Sequence, residues 1–358
     1  MKQLFFTLAL ALSGLAAGAQ GVEFQPLAME AALVKAKAEN KHIFIDCYTA
    51  WCGPCKLMDK EIFPLAPVGE YFAPRFIALK YDMEKDPDGL ALGARFGVKA
   101  YPTFIILDPD GEMRHIFAGG ILSLAFIDKV AEAFDDNKAL GALQRRVDAG
   151  NADTKTRLRH VQALAGTHTA DVTPLVDQFY DAATDEEKIC AEALFVFADH
   201  APLGSPRAEF LVAHRDEFRQ VAGADPVDDV LKRKYIDRYT RLLRGDARAT
   251  AAELDELDNA IHSLGLANAE VFVLYREAMN IKAGTGDTTA LLRDVHACAP
   301  RLKATELDMF IYSLLTAAKS PWNKDAAYLH AWSREDTDAL LLLVSTDMSR
   351  DYIRGQLK

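Results

Sequence analysis

Three short apolar runs stand out in the first third of the chain: Ile43-Phe44-Ile45, Phe76-Ile77-Ala78-Leu79 and Phe104-Ile105-Ile106-Leu107. Runs of this length bounded by polar residues read as strands rather than helices. Asp108-Pro109-Asp110-Gly111 follows the third run as a turn between two strand-like stretches. Residues 31–41, rich in Ala and Lys, read as a helix ahead of the first strand, and Lys56-Leu57-Met58 continues as a helix former after it. From about residue 137 the strand-like runs stop and amphipathic helical segments follow one another to the end. Helix starts are signalled at Thr173-Pro174, at Asp225-Pro226, and by the pairs Thr184/Glu187 and Thr250/Glu253. Breaks fall at Gly150-Asn151, Gly166, Gly223 and Pro300. The pattern predicts a strand-containing domain over residues 20–137 and an all-helical region over 138–358. That region has roughly ten helices, as in helix-pair arrays, though no repeat period is regular.

A chain of 358 residues, half of them hydrophobic, can support two cores. Its formal charge of −11 argues against nucleic acid or an anionic membrane as a partner. Residues 1–19 carry a separate signal. Lys2 is followed by an apolar stretch over 4–12 and by Ala17-Gly18-Ala19 before Gln20. That order is expected of a secretory signal peptide, and the apolar stretch is short for a spanning helix. The mature protein is therefore expected in the periplasm or outside the cell.

The chemistry-bearing stretch is Trp51-Cys52-Gly53-Pro54-Cys55. Two residues between cysteines at the start of a helix bring their sulfurs within bonding reach. The helix N-terminus favours thiolate over thiol, and only a thiolate attacks a disulfide. Half of a zinc site is the competing reading of such a pair, but no second Cys or His pair has the spacing to complete it.

Three further features accompany the motif in order. Asp46 ends the first apolar run, Lys80 closes the second, and Tyr101-Pro102-Thr103 precedes the third. Together they resemble the thioredoxin superfamily over residues 22–137. Tyr48, Lys60, the Pro64-Leu65-Ala66-Pro67 stretch and the acidic residues between 82 and 88 depart from plain thioredoxin. They look more like extracytoplasmic thioredoxin-like domains, such as the C-terminal domain of the periplasmic membrane-bound thiol reductase. The resemblance implies an α/β fold, a central mixed sheet flanked by helices, with a final hairpin and a closing helix over 124–134.

It also implies roles. Cys52 would be the exposed attacking thiolate and Cys55 the buried resolving thiol. Asp46 would accept the Cys55 proton through water while Lys80 tunes its charge; the plainer alternative is a strand-end Asp paired with Lys80. Pro102 would be cis, with the Tyr101 backbone pairing to a substrate chain as an added strand. Trp51 would shape partner contact or else pack as a core aromatic. Partners would be proteins with disulfides and a thiol electron donor, membrane-bound in the resembling systems, and no cofactor is implied. Gly53-Pro54 is shared with thioredoxin-type reductants.

The remaining candidates are weaker. Cys47 reads as an inert buried thiol, whereas Cys190 and Cys298 could pair in an oxidising compartment. Asp82, Glu84, Asp86 and Asp88 mimic a calcium loop but lack its later glutamate, which leaves a solvated loop. His296 beside Cys298 forms no ligand set. The helical region shows no catalytic constellation. It is expected to present a surface to another protein or to brace its neighbour. In the first case the chain would be an interaction protein with an ancillary dithiol.

Overall fold

The computed structural model describes residues 21–266, 269–317, 319–320 and 332–357; the expected signal peptide lies outside them. Four strands form one sheet in the order β2-β1-β3-β4. They are β1 (His42–Tyr48), β2 (Phe76–Asp82), β3 (Thr103–Leu107) and β4 (Met113–Ala118). β1 is parallel to β2 and antiparallel to β3, which pairs antiparallel with β4. All three apolar runs are thus strands, and the sheet is mixed.

Side chains alternate between the two faces of a strand, and here both faces are covered. On one side Ile43, Ile45, Ile77, Leu79, Ile105 and Leu107 pack with Ala32, Ala36 and Leu92. On the other Phe44, Ala78, Phe104, Ile106 and Phe117 pack with Met58, Phe63, Phe72, Phe126 and Val130. Burial on both faces is why the strands read as unbroken apolar runs. Asp46 follows Phe44 by two residues and so shares the phenylalanine face. The register sets it opposite Lys80 on β2 and Phe104 on β3.

The first helix, α1 (Met29–Glu39), begins two residues earlier than expected and ends at Asn40, which takes the left-handed conformation. Its first amide, Met29 N–H, donates to Asp88 Oδ2 at 2.8 Å, a cap from 59 residues away that no local pattern shows. α2 (Gly53–Leu57) carries the dithiol. Two further helices had no counterpart among the sequence expectations: α3 (Ala66–Phe72), with a proline in its first turn, and α4 (Pro87–Phe96), which grows out of the acidic stretch. The turn at Asp108 forms as expected. Its carboxylate accepts the Asp110 and Glu112 amides, and Gly111 closes the turn at positive φ. α5 (Ala125–Ala131) and a 3-10 turn (Glu132–Phe134) make the closing helix.

The compact unit that holds the sheet continues past residue 137, to Glu187. α6 (Leu140–Asp148) is bound to the sheet in two ways. Leu140 joins the aliphatic core, and its amide donates to the buried Nδ1 of His115 on β4 at 3.2 Å. α7 (Thr154–Ala165) adds Ala163 and Leu164 to the same core, and α8 (Thr173–Ala182) completes the unit. Gly141 fits the close approach. A Cβ there would lie 2.0 Å from the Met113 carbonyl oxygen. Helix propensity alone favours Ala over Gly by about 1 kcal/mol, but contact with a backbone atom cannot relax without moving α6. Gly141→Ala is therefore expected to destabilise the protein by about 1–3 kcal/mol, seen as a lower Tm. A raised Tm would show that α6 does not sit against β4 this closely.

The second unit, from Lys188, is helical throughout its described residues. Its longest helix, Ala224–Arg244, buries Tyr235, Tyr239 and Leu243 and packs against helices Leu194–Asp199, Arg215–Ala222, Glu270–Lys282 and Ala304–Ala317. A strict repeat array touches only its nearest neighbours, whereas this helix is central. Lys232 and Glu306 form a buried ion pair of 2.9 Å across it. The Thr250/Glu253 signal is a complete capping box. Among the described residues no helix is long and apolar enough to cross a membrane.

Candidate active site: a dithiol backed by a buried acid

β1 delivers the chain to the helix that carries the cysteines. Cys52 N–H donates to Thr49 O at 3.1 Å, and Cys52 then serves as N-cap of α2, its Sγ accepting the Cys55 amide at 3.1 Å. Pro54 sits in the first turn, where its missing N–H costs nothing. The two cysteines are joined in a disulfide, with Cα atoms 5.4 Å apart.

One expectation is corrected. Cys52 is as buried as Cys55, each 2% exposed, rather than standing out at the helix start. The physical reason is the cap itself: a sulfur that accepts the Cys55 amide and bonds to Cys55 is turned back over the helix.

After α2 the helix passes into a π-helical turn, Met58–Ile62, closed by the Phe63 N–H to Met58 O bond. Lys60 lies in this turn, where the resembling proteins often have proline, so a widened turn marks the place of the usual kink.

The Tyr101–Pro102 bond is cis. Pro102 O accepts the Gly119 amide at 2.8 Å, which ties the loop to the end of β4. Gly120 lies against the dithiol helix, and a Cβ there would come within 3.3 Å of the Pro54 ring. Trp51 is exposed, not a core aromatic. Its ring meets that of Tyr101 edge-on at 5.8 Å, and its Nε1–H donates to Glu84 at 3.0 Å. Within the acidic loop two carboxylates serve the local backbone. Asp86 accepts the Asp82 amide and Asp82 accepts the Glu84 amide. No group of metal-ligating side chains occurs among the described residues.

Asp46 is 1% exposed, and neither carboxylate oxygen has a hydrogen-bond partner among the described residues. Lys80 Nζ lies 3.3 Å from Asp46 Oδ2, a charge contact without hydrogen-bond alignment. Burial is the main cause that lifts the Asp46 carboxyl to about 7; Lys80 opposes this and Asp59 adds to it. The Lys80 ammonium is hydrogen-bonded instead to Asp59, in the π turn. The rings of Tyr48, Phe24 and Phe63 surround it at 4.7, 5.7 and 5.7 Å. Phe24 comes from an N-terminal strap that bridges to Ala78 on β2.

The structure thus brings together Asp46 and Lys80, joins Cys52 to Cys55, and sets Trp51 against Tyr101. Sequence reasoning missed Asp59, and it read Glu84 only as part of a solvated loop, not as the partner of Trp51. Asp59 stands four residues after Cys55, a spacing that puts both on one helix face; Glu84 had no local signal. Cys47 is buried, and burial beside Asp46 pushes its thiol well above the usual range. Cys190 and Cys298 do not form the bridge that an oxidising compartment would allow.

A family model for the thioredoxin-like domain matches residues 29–134. This part of the chain is a thioredoxin-like domain. Similar proteins include Thioredoxin-1 of Drosophila melanogaster, 36% identical over 70 residues, which are 20% of this chain and 60% of that protein. The thiol:disulfide interchange protein DsbD of Pseudomonas fluorescens is 31% identical over 90 residues, 25% of this chain and 15% of DsbD. The chain therefore spans less than two thirds of these relatives. A solved candidate disulphide isomerase of Bacteroides thetaiotaomicron is 38% identical, over 33% of this chain and 98% of its own, with a TM-score of 0.31. The thioredoxin-like domain supplies the sheet, the dithiol helix and the cis-proline loop; the helices from α6 onward lie outside the matched residues.

Proposed function

We propose that the protein is an extracytoplasmic thiol–disulfide oxidoreductase that reduces or exchanges disulfides in partner proteins. The observation that carries this is the Cys52–Cys55 pair at the head of α2, in a domain that buries Asp46 beside Lys80 on the neighbouring strand. In the reduced enzyme the Cys52 thiolate attacks one sulfur of a partner disulfide, forms a mixed disulfide and expels the other sulfur as a thiolate. Cys55 gives its proton to Asp46 through water, attacks Cys52 Sγ and releases the second partner sulfur. Two electrons pass from the dithiol to the partner, and the Cys52–Cys55 bond remains. Trp51, Tyr101 and Pro102 form the rim against which the partner chain lies. The N-terminal pattern of Lys2, the apolar stretch over 4–12 and Ala17-Gly18-Ala19 supports export. A thiol donor, membrane-bound in the resembling systems, would recharge the pair.

Equilibration with glutathione or dithiothreitol mixtures tests the direction. Gly53-Pro54 leads us to expect a reduction potential near about −270 mV, as in thioredoxin. A value above about −150 mV would overturn the reducing assignment and indicate an oxidant or isomerase.

A further inference from the structure

We propose that His115 is an acid-released latch that docks α6, and with it α7, onto the edge strand β4. The oxidoreductase reading makes no use of this residue, and the latch stands whether or not that reading does.

His115 is 1% exposed, in the middle of β4 and opposite Ile106 on β3. Leu140 is the first residue of α6, so its N–H has no acceptor inside the helix. His115 Nδ1 supplies one at 3.2 Å. A ring nitrogen that accepts an amide proton carries none itself, so the proton of the neutral imidazole sits on Nε2. Nε2 lies 3.4 Å from Glu132 Oε2, a contact without hydrogen-bond alignment. The same carboxylate oxygen is held by Lys129 of α5 at 2.6 Å.

Protonation at Nδ1 turns the acceptor into a donor that faces another donor. The bond to Leu140 is then lost, and a cation stands against the positive end of a helix. Burial is the main cause that holds the imidazole below its ordinary range. Glu132 in the 3-10 turn pulls the other way, while Lys129 on α5 and Arg114 on β4 act with burial. The docked ring is therefore neutral, whereas a ring released from α6 is free to take a proton. Docking is at full strength above about pH 6.5, the ordinary histidine value, and weakens as the pH falls below it.

The latch holds more than α6. α7 adds Ala163 and Leu164 to the same aliphatic core, and Gly166 O at its end accepts the Ala118 amide at 3.0 Å. The next amide along, Gly119 N–H, is the one that donates to Pro102 O. Release of the two helices thus frees the strand end that ties down the cis-proline loop.

The experiment is hydrogen–deuterium exchange of the full chain at pH 7 and pH 5, corrected for the intrinsic exchange rate. In the parent, protection over residues 140–148 should fall about tenfold relative to that of β1. His115→Asn keeps an acceptor oxygen near the position of Nδ1 and cannot take a proton, so its protection should change by less than about twofold. His42 and His160 are also held low by burial, but both proteins contain them and their effects cancel in the comparison. The comparison reads the change with pH, so a lower stability of His115→Asn at pH 7 does not alter it. An equal loss of protection in the two proteins would overturn the proposal. A nitrogen-15 spectrum of the parent supplies a second test that needs no variant. It should show the His115 proton on Nε2 at pH 7, and a proton on Nδ1 at that pH would also overturn the proposal.

Discussion

Replacing Cys52 with alanine is expected to reduce turnover of a model disulfide such as insulin to the uncatalysed background. Replacing Cys55 with alanine is expected to stop the reaction one step later, with the partner covalently attached. The asymmetry follows from position. Cys52 caps the N-terminus of α2, where the unpaired amides and helix dipole stabilise a thiolate. Cys55 lies within the first turn, where it can resolve a mixed disulfide but not start one. A non-reducing gel of the Cys55→Ala protein incubated with a disulfide-bearing partner should show a band that disappears with dithiothreitol. Reduction by Cys52→Ala at the parent rate would refute the proposed chemistry. If Cys52→Ala trapped partners instead, the roles would be reversed.

The largest expected loss of stability comes from Phe126→Ala. Phe126 is fully buried on α5, and its ring lies within 5.3–6.3 Å of those of Phe44, Phe63, Phe72, Phe104 and Phe117. Truncation would leave a cavity ringed by five aromatics that cannot collapse without moving both the sheet and α3. The cost should be about 3–5 kcal/mol, a large part of the 5–15 kcal/mol typical of a domain. Chemical denaturation should show a lower midpoint for the unit that holds the sheet. Leu124→Ala, two residues earlier and half-exposed, should change it by no more than about 0.5 kcal/mol. Equal effects from the two substitutions would mean that α5 does not dock through Phe126.

The dithiol and Phe126 differ in how far the sequence reveals them. The cysteine pair is legible in the sequence itself, because it depends on local spacing and on a motif order that few other folds share. The importance of Phe126 is not, since an apolar residue in a predicted helix carries no mark of how many rings it will meet.

The same division runs through the site. Asp46, Lys80, Trp51, Tyr101 and Pro102 can be named from the sequence because each stands at a fixed offset from a strand or from the dithiol. Asp59 and Glu84 cannot, because their partners, Lys80 and Trp51, lie 21 and 33 residues away and meet them only through the folded chain. The cap that begins α1 comes from Asp88 for the same reason.

By itself the sequence determined the strands, the hairpin turn, the redox-active pair and the helical character of the remainder, all set by contacts within a few residues. The tertiary structure alone decided that both cysteines are buried, that Lys80 meets both the buried Asp46 and the exposed Asp59, and that α6 and α7 pack with the sheet. Each of these depends on which distant groups compete for one hydrogen bond or one apolar face, and that competition begins only when the chain is folded.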